Sequence, residues 1–146
     1  MNYLELTPHQ LVDLLGDKRQ HQAAVVALLG GITATELRKV KVTPAAKEAL
    51  IAGLKHPNSK VRWWCIQYMD HVADESYLQP LLEAAKTDPT PKNRRHAIHA
   101  LTCEICKPDR CSLDIDIRAE LAGIAETDSD ESVRALATEE LRKLVE

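Results

Sequence analysis

The residues best suited to chemistry lie between His99 and Cys111. The stretch reads His99-Ala-Leu-Thr-Cys103-Glu-Ile-Cys106-Lys-Pro-Asp-Arg-Cys111 and holds three of the four cysteines. On a helix, His99, Cys103 and Cys106 stand at i, i+4 and i+7 and share a face. Pro108 stops such a helix, which lets Cys111 fold back toward its end. Two thiolates spaced Cys-x2-Cys, a third thiolate and one imidazole are a set of four N/S ligands that tetrahedral zinc accepts. Zinc is therefore the cofactor this sequence suggests, on Cys103, Cys106, Cys111 and His99, with His96 and Asp109 in reserve. No acid/base group is clearly paired with the set, so the metal would be structural. A disulfide or redox pair, for instance Cys106 with Cys111, and a gathering of inert thiols stay open beside it.

Other chemistry is hard to find. The sequence contains no Gly-rich phosphate loop, no Gly-x-Ser-x-Gly and no His-Glu-x-x-His. The N-terminus, Met-Asn-Tyr-Leu-Glu-Leu-Thr-Pro, lacks a positive region followed by an apolar one. Absence of a signal peptide and of any apolar run of about 18 residues makes a cytoplasmic protein without a membrane span the expectation. In that compartment cysteines serve as thiols or metal ligands more than as structural disulfides. The net charge of −3 over 146 residues is unlike the one-sided basic balance of a nucleic-acid binder. Hydrophobic residues make up 45% of the chain, with no Phe; Ala, Leu, Ile and Val are the filling of packed helices.

The elements that must position the cysteines are written as a repeat. His56 leads to Arg62, Cys65 and Met69; Asp88 leads to Arg94, Ala97 and Leu101; Asp128 leads to Arg134, Ala137 and Leu141. Each copy has an Arg six residues after its opening residue. A small residue follows three later, and a large apolar one four after that. The last two share a helical stripe, the small one admitting a neighbouring helix and the large one filling the groove beside it. An amphipathic stretch precedes each copy: Thr43–Lys55, Tyr77–Lys86 and Leu113–Thr127. Thr43 reads as an N-cap with Pro44 at the first helical position, and Pro57, Pro89 and Pro91 punctuate the turns. Each unit is thus helix, tight turn, helix. An earlier, degenerate copy is expected at the N-terminus, with Leu11–Leu15 as its first helix and Gln22, Val25 and Leu29 in register in its second. Gly30 and Gly31 end that helix, and Thr33–Lys41 forms a short extra one.

The phrase Asp-Pro…Val/Asn-Arg…Ala…Leu resembles the HEAT repeat, including the HEAT-like repeats of phycobilisome lyases. The resemblance covers residues 43–146 well and the first forty poorly. It implies an all-α fold, an α-solenoid (a right-handed superhelix) of about four helical hairpins. It also implies an acid–Arg ladder joining adjacent units, with Arg62, Asp88, Arg94, Asp128 and Arg134 as members. The six-residue spacing is intact at Asp88/Arg94 and Asp128/Arg134, whereas His56 stands where an acid would precede Arg62. One domain over 1–146 is expected: a degenerate repeat at 1–42, clearer repeats at 43–73, 74–107 and 113–146, and a Cys-containing insertion at 106–114. The insertion shows in the spacing, because Arg62 to Arg94 is 32 residues and Arg94 to Arg134 is 40.

In the resembled family the second helices line the concave surface. The positions one and five after the Arg, namely Trp63 and Gln67, Arg95 and His99, Ala135 and Glu139, depart from the core pattern and are expected in solvent. An exposed Trp63 beside Arg62 reads as an interface residue, while Trp64 and Cys65 read as core. Lys92, Arg94, Arg95 and His96 make a short basic run at a helix start, where an acidic or phosphorylated group would be welcome. The binding surface expected is Trp63, Gln67, Lys92, Arg95 and His99. The function expected is a non-catalytic binding or scaffold module for a protein or peptide, with nucleic acid disfavoured. Two alternatives stand beside it. One is a metal- or redox-responsive regulator; the other is an enzyme or lyase subunit or DNA-base-binding protein, which tandem Trp63-Trp64 invites but the short acidic chain opposes.

Overall fold

A computed structural model describes residues 2–72, 74–102 and 116–145. The described residues are helical apart from turns and connections, and the chain packs as two compact units, Met1–Asp74 and Glu75–Glu146. The helices pair as hairpins, as an α-solenoid requires.

In the first unit a 3-10 turn (Tyr3–Glu5) leads to α1 (Pro8–Asp13), a second 3-10 turn (Leu14–Gly16), α2 (His21–Leu29), α3 (Ala34–Lys39), α4 (Pro44–Gly53) and α5 (Ser59–His71). The starts follow from capping chemistry. Thr7 and Gln10 form a capping box ahead of α1, as Thr33 and Glu36 do ahead of α3. Thr43 accepts from the Ala46 N–H with Pro44 at the first helical position. Gly30 ends α2 at φ 83, a left-handed conformation that glycine reaches without steric cost. α1 packs on α2 and α4, and α4 on α5, around Leu11, Leu15, Val25, Leu50, Val61, Ile66 and Met69, all buried. At Gly53 α4 is approached tightly by α5 and α1: a Cβ there would collide with Cys65 Sγ and lie 2.9 Å from a Val12 methyl.

In the second unit a 3-10 turn (Glu75–Tyr77) precedes α6 (Leu78–Thr87), α7 (Pro91–Thr102), α8 (Ile117–Thr127) and α9 (Glu131–Val145). Pro80 falls in the first turn of α6, where a missing N–H costs no helical bond. α6 pairs with α7, α8 with α9, and α7 packs on α9. Tyr77, Leu81, Ala85, Ala97, Ile98, Val133 and Ala137 have no measurable exposure. Among the described residues no helix is long and apolar enough to cross a membrane.

Candidate binding surface

The turns between paired helices share one geometry. The opening residue accepts a hydrogen bond from the N–H two residues on: Asn58 N–H to His56 Nδ1 at 3.0 Å, Thr90 N–H to Asp88 Oδ1 at 2.9 Å, Asp130 N–H to Asp128 Oδ1 at 2.8 Å. That second residue then caps the following helix, through Asn58 Oδ1 from Lys60 N–H, Thr90 Oγ1 from Asn93 N–H and Asp130 Oδ1 from Val133 N–H. The Arg six residues after the opening residue donates to the opening residue's carbonyl: Arg62 to His56 at 2.8 Å, Arg94 to Asp88 at 2.8 Å, Arg134 to Asp128 at 2.7 Å. Each Arg therefore closes its own turn.

Arg94 also reaches the next hairpin. Its Nε and Nη2 donate to the two oxygens of Asp128 at 2.9 and 3.0 Å, a bidentate pair whose side chains are only 10% and 5% exposed. His56 takes the place of the acid in the first unit. Because its Nδ1 accepts from Asn58, its Nε2 carries the proton and donates to Asp13 Oδ1 at 3.0 Å.

The same geometry corrects the register of the degenerate copy. His21 Nδ1 lies 2.8 Å from the carbonyl oxygen of Leu15, six residues back. Asp17, two after Leu15, accepts from Arg19 N–H at 2.9 Å. By that hydrogen-bond geometry the small and large positions are Ala24 and Leu28, one residue earlier than Gln22, Val25 and Leu29; burial does not distinguish the two registers, since Ala24, Val25, Leu28 and Leu29 are all buried. An imidazole stands in for the guanidinium, which is why a search for Arg-like polarity slides past it.

With Nδ1 donating to Leu15, His21 Nε2 accepts from the Tyr68 hydroxyl at 2.6 Å. The His21 ring also lies 4.1 Å from Trp64, centroid to centroid. Tyr68 stacks on Trp64 at 5.7 Å, and Trp63 meets Trp64 edge-on at 4.8 Å. The expected exposure of Trp63 needs correction: it is half-buried, as is Trp64, because the T-shaped contact covers part of the Trp63 ring. Gln67 is half-buried one turn on, its amide 2.8 Å from His71 Nε2.

Burial pushes the Tyr68 phenol up to about 12 and the Cys65 thiol likewise to about 12. Neither ionises near neutrality, so both act in packing rather than as nucleophiles.

On α7, Lys92 and His99 are exposed and Arg95 is half-buried. Arg95 faces the opening turn of α9: its Nη1 donates to Ser132 Oγ and lies 3.8 Å from Asp130 Oδ1. The Ser132 hydroxyl, the Val133 N–H and Arg95 together hold the Asp130 carboxyl below its ordinary value, with the Ser132 bond the largest cause. Arg95 is thus tied to Asp130 and Ser132, a link that the sequence reading, which placed it in solvent, did not anticipate. Of the expected zinc ligands, His99 is on α7, and Cys103, Cys106 and Cys111 lie outside the described residues, as does Asp109. Among the described residues no three His, Cys, Asp or Glu side chains come together as a metal site.

No curated protein and no solved structure matches the chain. A family model for HEAT repeats matches it twice, over residues 9–102 and over 48–142, overlapping spans that take in all the described helical hairpins except the first residue of α1 and the last three of α9. By that match, and by the hairpins and Arg-closed turns that bear it out, the chain belongs to the HEAT-repeat family.

Proposed function

We propose that this HEAT-repeat protein is a non-catalytic binding module, taking a protein or peptide on the surface of its second helices. Within the first unit the contact face is α5, with Trp63 as the anchor and Gln67 beside it. Within the second it is α7, with Lys92, Arg95 and His99. The observation that carries this reading is the support under Trp63. Its ring rests on Trp64, which is held by His21 and Tyr68, and His21 is fixed at both nitrogens. An aromatic anchor whose rotamer is already set loses little entropy on binding, and such residues dominate interface energetics. The protonated, buried state of Cys65 and Tyr68 favours binding over nucleophilic chemistry at this face.

A displayed peptide library selected on the full chain tests the proposal. Enriched peptides should perturb tryptophan fluorescence on binding and weaken at least about tenfold with Trp63→Ala, in line with loss of an anchor residue. Gln67→Ala should weaken them less. Failure to enrich any sequence, or binding indifferent to Trp63→Ala, refutes the assignment.

A further inference from the structure

We infer that the connection from α3 to α4 is a docking surface for an acidic segment of a partner polypeptide, carried by Arg38, Lys39 and Lys41. This surface uses none of the residues assigned to the α5 and α7 faces.

The chain alternates here between anchors and outward positions. Leu37 and Val42 are buried at 0% and 6% exposure, while Arg38, Lys39 and Lys41 between them are exposed. The platform is locally fixed. Thr33 and Glu36 close the capping box of α3, and Gly31 sits so close that a Cβ there would lie 2.9 Å from Glu36 Cβ. α3 is also additional to the helix–turn–helix repeat.

The three cations stand out by clustering without an acid among them. Lys18 and Lys60 also have no carboxylate partner among the described residues, but Lys18 follows Asp17 and Lys60 has no adjacent cation. Other cations are satisfied. In the first unit Lys47 is paired with Asp74 at 2.5 Å, and Arg62 is bound to the carbonyls of His56 and Pro57. In the second, Lys86, Arg94, Arg142 and Lys143 each have a carboxylate within 3.2 Å. Among the described residues no carboxylate pairs with Arg38, Lys39 or Lys41. The nearest acid in sequence, Glu36, is occupied by Thr33, and residues 37–47 contain four basic side chains and no acidic one. Three like charges on backbone positions within about 10 Å repel one another weakly, and an incoming carboxylate relieves that repulsion while forming ion pairs. Helix-dipole attraction accounts for Arg38 and Lys39 in the last turn of α3, but not for Lys41, which lies past its end.

The size and setting of the patch select the partner. A run of three cations matches a short Asp/Glu stretch. An extended polyanion draws its affinity from many contacts in line, which a run of three cations does not offer. The local balance favours an anion, because Met1–Asp74 holds nine Lys and Arg against seven Asp and Glu, whereas Glu75–Glu146 holds ten against fifteen.

The test is fluorescence anisotropy on the full chain with labelled hexaglutamate. Labelled hexaglutamine, an oligothymidylate and phosphatidylserine vesicles serve as comparisons. Hexaglutamate should bind at low ionic strength and weaken with salt. Binding should fall about tenfold in Arg38→Gln/Lys39→Gln/Lys41→Gln, the sum of three exposed ion pairs. Arg142→Gln/Lys143→Gln on α9 should leave it unchanged. All three triple-variant sites are exposed, so the fold should persist, and far-UV circular dichroism and the melting temperature verify it. Lys41→Glu alone gives a second reading with a smaller change in surface charge. Absence of hexaglutamate binding overturns the inference, as does an equal loss in the α9 variant. Tighter binding of the oligothymidylate or the vesicles at matched charge overturns the choice of partner.

Discussion

Replacing Arg94 by Met removes the guanidinium that closes the α6–α7 turn and reaches across to the α8–α9 turn. Three hydrogen bonds go with it: one to the Asp88 carbonyl and two to the Asp128 carboxylate. Asp128 is left 5% exposed with the Asp130 N–H as its remaining partner in that turn. Breaking a buried ion pair by removing one member costs about 3–5 kcal/mol, because the other charge stays behind without compensation. The surviving N–H bond places Arg94→Met near the lower end, at about 3 kcal/mol. Arg134→Met is the internal comparison. Among the described residues Arg134 makes only the carbonyl bond to Asp128, at 2.7 Å, so its loss should cost about 1.5 kcal/mol. Asp128→Asn keeps an oxygen for the turn and removes the charge. In a double-mutant cycle Arg94→Met and Asp128→Asn should therefore couple by at least about 1 kcal/mol. Urea unfolding followed by far-UV circular dichroism reads these values; tryptophan fluorescence does not serve, since both tryptophans are in the first unit. If Arg94→Met costs no more than Arg134→Met, or the double variant equals the sum of the singles, the Arg94–Asp128 pair does not couple the two hairpins and the reasoning fails.

Three further outcomes are expected. His21→Ala should lose about 2 kcal/mol, two part-buried hydrogen bonds, and shift tryptophan emission as Trp64 loses its ring contact. His21→Arg should recover part of the stability through the Leu15 carbonyl, and recovery no better than Ala would count against His21 as the Arg equivalent. In alkali, the unfolded chain releases the Cys65 proton from its ordinary value of 9.0, whereas burial keeps it bound to about 12 in the folded chain. Stability should therefore be complete below about pH 9 and fall by up to about 1.4 kcal/mol per pH unit between the two values. Tyr68, raised from 10.0 to about 12, contributes in the same direction. Cys65→Ala should flatten that limb of a denaturant-against-pH series, and an unchanged slope would contradict the burial argument. Finally, we propose that Cys103, Cys106, Cys111 and His99 hold a single zinc ion. Elemental analysis of untagged protein, purified under reducing conditions, should find it in the wild type and miss it in Cys103→Ser/Cys106→Ser; metal-free wild type with four titratable thiols would sink the site.

The repeat was legible because its chemistry is carried by side chains whose types vary little: the Arg at 62, 94 and 134, and the small residue at 65, 97 and 137. Each does one local job, closing a turn six residues back or admitting a helix, so spacing alone reveals it. The first copy was misread by one residue for the same reason. His21 performs the Arg's bond to a carbonyl with a ring nitrogen, and no periodicity distinguishes that imidazole from a polar Gln22 beside it. Only the 2.8 Å contact to Leu15 settles the register. The surface was harder still. Position within the repeat gave Trp63 and Arg95 the same standing, yet one rests against a neighbouring ring and the other is drawn to a neighbouring turn. Those outcomes depend on what the adjacent element offers, Trp64 in one case and Asp130 with Ser132 in the other. In a repeat protein the framework is written locally and read locally. The surface is set by pairs of residues that the repeat itself leaves free to change, as at His21 and His56, at the tandem tryptophans of α5, and at the cations Arg38, Lys39 and Lys41 at the end of α3 and just past it.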